Sequence, residues 1–170
     1  MRYFVIDKNY SITNSPYMTN LHSKVNVEHI NYNDYWKIRK RNIIKISGNP
    51  CTVFPDILSS PLFLVTQKVW KVISLYEPHT KFRQLVLLDS ANTLMEVYHL
   101  PILQNINNFY WEIQGTSAKK IFIKYDDVKN MSVLKIVDLY DTYTILRMDI
   151  AESLLFRGYT GLRFKEVNLI

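Results

Sequence analysis

Pro55-Asp56-Ile57-Leu58-Ser59-Ser60-Pro61-Leu62-Phe63-Leu64-Val65, running on to Tyr76-Glu77-Pro78, is the stretch on which the fold turns. Ser60 is a residue type that accepts hydrogen bonds from the first N–H groups of a helix. Pro61 suits the first helical position, where its missing N–H costs nothing. Leu62, Val65, Val69, Val72, Ile73 and Tyr76 recur at spacings of three and four, with Lys68 and Lys71 on the other side. That is the stripe of an amphipathic core helix. Pro78 disfavours helical geometry at Glu77 and marks the stop. The spacing therefore predicts one long helix over residues 61–76. The block holds no set of residues that performs chemistry, which points away from an enzyme.

Strand signals surround this helix. Tyr3-Phe4-Val5-Ile6 begins the chain, and Trp36 to Ser47 carries Ile38, Ile43, Ile44 and Ile46 among cations before the turn Gly48-Asn49-Pro50. β-Branched content of this kind favours strands. Gln84–Leu88 and Leu94–Tyr98 flank the turn Asp89-Ser90-Ala91-Asn92, and further strands are expected at 111–113, 120–124, 133–137, 143–147 and 161–167. Residues 7–33 are polar, with weak periodicity, and read as a long loop or short strands. A short helix is expected from Asp149, with Glu152 completing a capping box, Ile150, Ala151, Leu154 and Leu155 as its apolar face, and Gly158 as its end. The resulting class is α+β: a mainly antiparallel β-sheet packed against one long and one short helix.

The composition agrees with one domain spanning residues 1–170. The chain is 48% hydrophobic and 21% charged, with few glycines and prolines to make linkers. No repeat or low-complexity segment interrupts it. The single cysteine, Cys51, cannot form an intramolecular disulfide and suits a reducing compartment. The apolar run at residues 3–6 is too short for a signal peptide, and cations interrupt residues 62–76, so no membrane span is expected. The expected location is the cytoplasm.

Candidate chemistry is sparse. His22, His29, His79 and His99 show no metal-binding spacing, so no metal or cofactor is expected. Cys51 would need a nearby histidine to act as a nucleophile; the plain reading is a small, partly buried residue. Asp126-Asp127, and Asp138 with Asp141, sit where turn aspartates bond their own backbone. Gly158-Tyr159-Thr160-Gly161 lacks the Lys-Ser/Thr pair of a phosphate-binding loop. No catalytic residue is assigned.

Charge supplies the remaining signal. The net charge is +6, and the densest cluster is Lys37-Ile38-Arg39-Lys40-Arg41, preceded by Tyr35 and Trp36. Tyr35, Trp36, Lys37, Arg39 and Arg41 are the candidate partner-binding residues. Spacing of two places the three cations on one side of a strand. An acidic protein partner, a nucleic acid stacking on the aromatics, and a solvated strand face are the three readings of this cluster.

The Pro55-Asp56-Ile57-Leu58 block, the helix ending at Tyr76-Glu77-Pro78, Val86-Leu87-Leu88-Asp89, Tyr98 with Leu100 and Pro101, and the run from Asp149 to Gly158 together resemble a bacterial family. It is the immunity-protein family numbered eleven of polymorphic toxin systems. Residues 51–170 carry the resemblance; residues 1–50 carry little. It implies a cytoplasmic protein that neutralises a cognate toxin by binding it, without a cofactor, and it transfers no functional residues. Inhibitors of nuclease grooves tend to be acidic, because those grooves are positive. A chain at +6 instead fits a toxin surface that is acidic or mainly apolar. The alternatives are a basic nucleic-acid-binding accessory protein and a hydrolase using Cys51.

Overall fold

The computed structural model describes residues 1–6, 12–114, 118–138 and 141–170. In chain order its elements are β1 (Tyr3–Ile6), β2 (Tyr17–Met18), α1 (Leu21–Lys24), β3 (Arg41–Ser47), β4 (Ile57–Leu58), β5 (Leu64–Thr66), α2 (Gln67–Tyr76), β6 (Lys81–Asp89), β7 (Leu94–Ile102), β8 (Phe109–Gln114), β9 (Ala118–Ile123), α3 (Tyr125–Val128), β10 (Val133–Val137), β11 (Thr142–Arg147), α4 (Met148–Phe156) and β12 (Phe164–Leu169). Short 3-10 turns occupy Val27–His29 and Tyr35–Lys37. Of the polar stretch read as residues 7–33, residues 7–11 lie outside the described residues. The remainder holds β2, α1 and the first 3-10 turn.

Among the described residues, the strands form two six-stranded sheets. The first runs β10-β11-β1-β12-β9-β8 and the second β2-β3-β6-β7-β5-β4. Most pairs are antiparallel, but β12 with β9 and β3 with β6 are parallel. The expected α+β class with mainly antiparallel pairing therefore holds, as two mixed sheets. The expected single long helix with one short companion does not: α2 has 10 residues, α4 has 9, and α1 and α3 have 4 each.

The correction to the long helix has a clear cause. Helix α2 starts after Thr66, not at Pro61. Residues 64–66 are a strand whose Val65 and Thr66 pair with His99 and Tyr98 of β7. Leu64 points into one core and Val65 into another, the two-sided burial of a strand. Leu62 and Val65 matched the helical spacing, but pairing with a strand more than thirty residues away won. The Ser60–Pro61 peptide is cis, and Ser60 caps no helix. From Val69 onward the reading holds: Val69, Val72 and Ile73 are buried. The helix stops at Tyr76, and the Glu77 N–H donates to the Ile73 carbonyl.

Among the described residues, three cores fill the molecule. One lies between the inner face of the second sheet and residues 18–38, joining Ile44, Leu85, Leu87 and Tyr98 to Leu21, Val25 and Ile38. The Tyr98 hydroxyl donates to the Pro55 carbonyl at 2.6 Å, and burial pushes this phenol far above its ordinary pKa. A second core joins both sheets through α2 and α4. It holds Val69 and Ile73 with Ile150 and Leu154, plus Ile6, Val133 and Leu146 of the first sheet and Val65 of the second. The third fills the far face of the first sheet around Tyr3, Ile136 and Ile145.

Helix α4 also departs from its expected capping. It starts at Met148, and Glu152 makes no capping bond. Asp149 instead takes both ends of the Arg147 guanidinium fork at 2.8 and 2.7 Å. That charge-assisted pair holds the Asp149 carboxyl below the ordinary carboxylate range. Leu155 is exposed, outside the apolar face assigned to it. Gly158 ends the helix at φ 68°. Gly161, at φ 89°, sits where an added Cβ would run into the Ile57 carbonyl, so the chain can enter β12 only through a residue without one.

Candidate functional site

Strand β3 shows strict alternation. Asn42, Ile44 and Ile46 are buried, while Arg41, Ile43 and Lys45 face outward. Strand registers extend this outer face across the sheet. Arg41, Ile43 and Lys45 lie beside Gln84, Val86 and Leu88 of β6, and these beside His99, Val97 and Met95 of β7.

One end of the outer face is closed. The Trp70 ring of α2 lies parallel to His99 with centroids 6.2 Å apart, and it meets Phe82 at 4.8 Å. His99 is buried there, with its Nδ1 unpartnered among the described residues, and desolvation lowers its pKa. The other end is open. Ile43 is 56% exposed and Met95 63%, with Val86, Leu88 and Val97 half-buried around them. Among the described residues, none of these five joins a buried core.

The five candidate partner-binding residues separate into different roles. The expectation of one strand over residues 36–47 is corrected: residues 35–37 form a 3-10 turn, and the strand starts at Arg41. Lys37, Arg39 and Arg41 therefore do not share a strand face. Tyr35 packs against the first core, with the Arg83 guanidinium 4.7 Å from its ring. Arg83 also donates to the Tyr35 and Ile38 carbonyls and pins the turn to β6. Trp36 is 67% exposed, its indole N–H held by the Asn33 carbonyl. Lys37 pairs with Asp34 at 2.6 Å and holds that carboxyl below its ordinary range.

Arg39 and Arg41 do come together. With Lys24 and Ser23 of the α1 segment, and with Asn42 and Ile43, they line a polar depression of about 320 Å³. The Arg41 Nε–H donates to Gln84 Oε1 at 3.2 Å. Lys24, Ile43 and Met95 belong to this surface and were missed in the sequence. Alternation along residues 41–47 was the available signal for Ile43; Lys24 and Met95 arrive by tertiary placement alone.

Cys51 is exposed in the turn after β3, not partly buried, with its N–H donating to Asn49 Oδ1. Asp126 and Asp127 lie in α3, and Asp126 pairs with Lys129 at 3.0 Å. Among the described residues, no three His, Cys, Asp or Glu side chains gather closely enough to hold a metal ion, and no helix is long and apolar enough to cross a membrane. Compared with known proteins, the chain matches no protein-family model and no curated protein.

Proposed function

We propose that this protein is an immunity protein that binds a cognate bacterial toxin and neutralises it stoichiometrically, without turnover. The observation that carries this reading is the open end of the second sheet's outer face. Monomeric proteins rarely leave a contiguous apolar sheet face uncovered, and such faces commonly mark protein-binding sites. Here Ile43, Val86, Leu88, Val97 and Met95 form the apolar patch, Arg41 and Lys45 flank Ile43 along β3, and Arg39 and Lys24 join Arg41 in the neighbouring depression. The surface suits a partner with an apolar patch bordered by carboxylates. The resemblance noted for residues 51–170 supports the same reading, under which the protein would act in the cytoplasm of a toxin-producing bacterium.

An apolar centre stabilises the complex by desolvation, while the cations speed encounter with an acidic partner. A standard interface of roughly 1,600 Å² and a Kd in the nanomolar range or tighter would suffice to capture toxin before damage accumulates. Titration into the cognate toxin should abolish its activity at a fixed molar ratio near one to one. Neutralisation by far less than one equivalent, leaving the toxin chemically altered, would mean an enzyme instead. The double variant Ile43→Asp, Met95→Asp should fold normally and bind at least 100-fold more weakly. Steeply salt-dependent RNA or DNA binding by the parent chain, unaffected by that variant, would favour the nucleic-acid reading.

A further inference from the structure

A second surface feature lies between the two sheets. A cleft of about 340 Å³ opens where β10 and β11 of the first sheet face residues 59–63 and β7 of the second, with residues 27–31 along one side. Its size falls at the small end of ligand pockets, roughly 300–1,000 Å³. Leu62, Phe63, Leu100, Leu103 and Val137 give it apolar walls.

One charged group is sunk into this wall. Lys135 is only 9% exposed, yet it lies on β10 between Val133, which packs in the inter-sheet core, and Val137, which lines the cleft. Its Nζ donates to the Ile30 carbonyl, its only hydrogen-bond partner among the described residues, and it makes no ion pair there. An ammonium has three N–H donors, so two remain unspent. Burial lowers the Lys135 pKa, as expected for a desolvated cation with no countercharge.

Three hydroxyl residues line the cleft with it: Ser59 across from it, and Thr142 and Thr144 on β11. Thr144 is the cross-strand partner of Lys135, and Thr142 that of Val137. Both threonines line the cleft. Directly paired residues on one face hold their Cβ atoms about 4.5–5.5 Å apart, so the ammonium and the Thr144 hydroxyl can serve one small group. Among the described residues, the one carboxylate on the cleft wall is the exposed Glu28, too solvated to neutralise a buried amine from its present position.

We propose that this cleft binds a small monocarboxylate with an apolar body, its carboxylate held by Lys135 Nζ and the Thr144 hydroxyl. The chemistry of the site selects that class. A carboxylate spends the free donors and supplies the missing countercharge, while the aliphatic and aromatic walls take the body. A dianion such as a phosphate monoester would carry one charge too many for a single cation among apolar walls, with Glu28 at the edge. An acidic side chain of a polypeptide would bring its backbone amides behind the carboxylate, against Leu62, Phe63, Leu100 and Leu103, whose side chains offer them no hydrogen-bond partner.

The test is calorimetric titration of the full chain with phenylacetate, 4-methylpentanoate and octanoate, using phenylacetamide as the neutral match. At least one acid should bind with Kd on the order of 10–100 µM, the range open to a small ligand. The amide should bind at least tenfold more weakly. Lys135→Met should abolish the preference for acid over amide, and Thr144→Val should weaken acid binding at least threefold. Val137→Trp, at a position 46% exposed on the cleft rim, should block binding without a packing change, and it serves if Lys135→Met does not fold. No binding of any acid at about 5 mM, equal affinity for acid and amide, or parental affinity in Lys135→Met would each overturn the proposal. So would binding through Lys135 of a capped Leu-Glu-Leu peptide while the free acids fail.

Discussion

Ile43 and Ile44 are adjacent, chemically identical, and part of one strand, yet Ile44 is fully buried and Ile43 is 56% exposed. Ile44 points to the inner face of the second sheet, which residues 18–38 and the 54–62 segment close completely. Ile43 points to the outer face, which Trp70 covers only at the end near His99. The inner face is thus a structural core, while the open part of the outer face contributes little to folding and is free to act. Hydrophobic character alone does not separate these roles; coverage does.

The contrast predicts a graded set of outcomes. The largest belongs to the covered end. Val69 is fully buried between α2 and both sheets, so Val69→Asp combines lost burial with a desolvated charge. It should cost more than about 3 kcal/mol by denaturant unfolding. A soluble variant with an unchanged midpoint would show that α2 does not close this face. Next comes the isoleucine pair: Ile44→Ala should cost about 3 kcal/mol, and Ile43→Ala less than about 0.5 kcal/mol. Equal losses would mean that something covers Ile43.

The same contrast between buried and exposed groups extends to cations. The Lys135 pKa is lowered by burial, so between its folded value and 10.5 the unfolded chain binds more protons than the folded one. Lys135 therefore costs stability at neutral pH, and this cost fades as the pH rises toward 10.5. Stability of the parent chain relative to Lys135→Met should climb over that window, whereas relative to Arg41→Met it should stay flat. A flat profile for both would place the Lys135 ammonium in solvent.

The smallest stability effect is expected from Lys37→Glu, Arg39→Glu, Arg41→Glu, within about 0.5 kcal/mol, since exposed ion pairs such as Lys37–Asp34 contribute little. Toxin association should nonetheless slow at low salt and lose much of its salt dependence. Because Arg39 and Arg41 share the polar depression and Lys37 does not, reverting Lys37 alone should restore little of the rate. Full recovery on that reversion would shift the contact surface to the Trp36 turn.

Several elements were legible in the residues. The bounds of β10 at Val133–Val137, the hairpin around residues 89–92, the stop of α2 before Pro78 and the glycine after α4 all follow from local signals. Alternation and turn chemistry act within a few residues, so they survive in any fold that uses them. The start of α2 did not follow, because Leu62 and Val65 satisfy helical spacing while the strand pairing of Val65 and Thr66 lies on β7.

The candidate surface divides in the same way. A basic, aromatic cluster near residues 35–41 was visible as composition, but the common strand face expected of Lys37, Arg39 and Arg41 does not form, because the strand starts only at Arg41. Which face would be covered was not visible. That depends on where α2 docks, how the segment at residues 18–38 wraps, and which strands lie beside β3. Nor could the run Val133-Leu134-Lys135-Ile136-Val137 show that Lys135 would face the opposing sheet across a cleft. Local sequence sets periodicity and turns through short-range sterics and hydrogen bonding; exposure is set by long-range contacts, and only the assembled structure decides those.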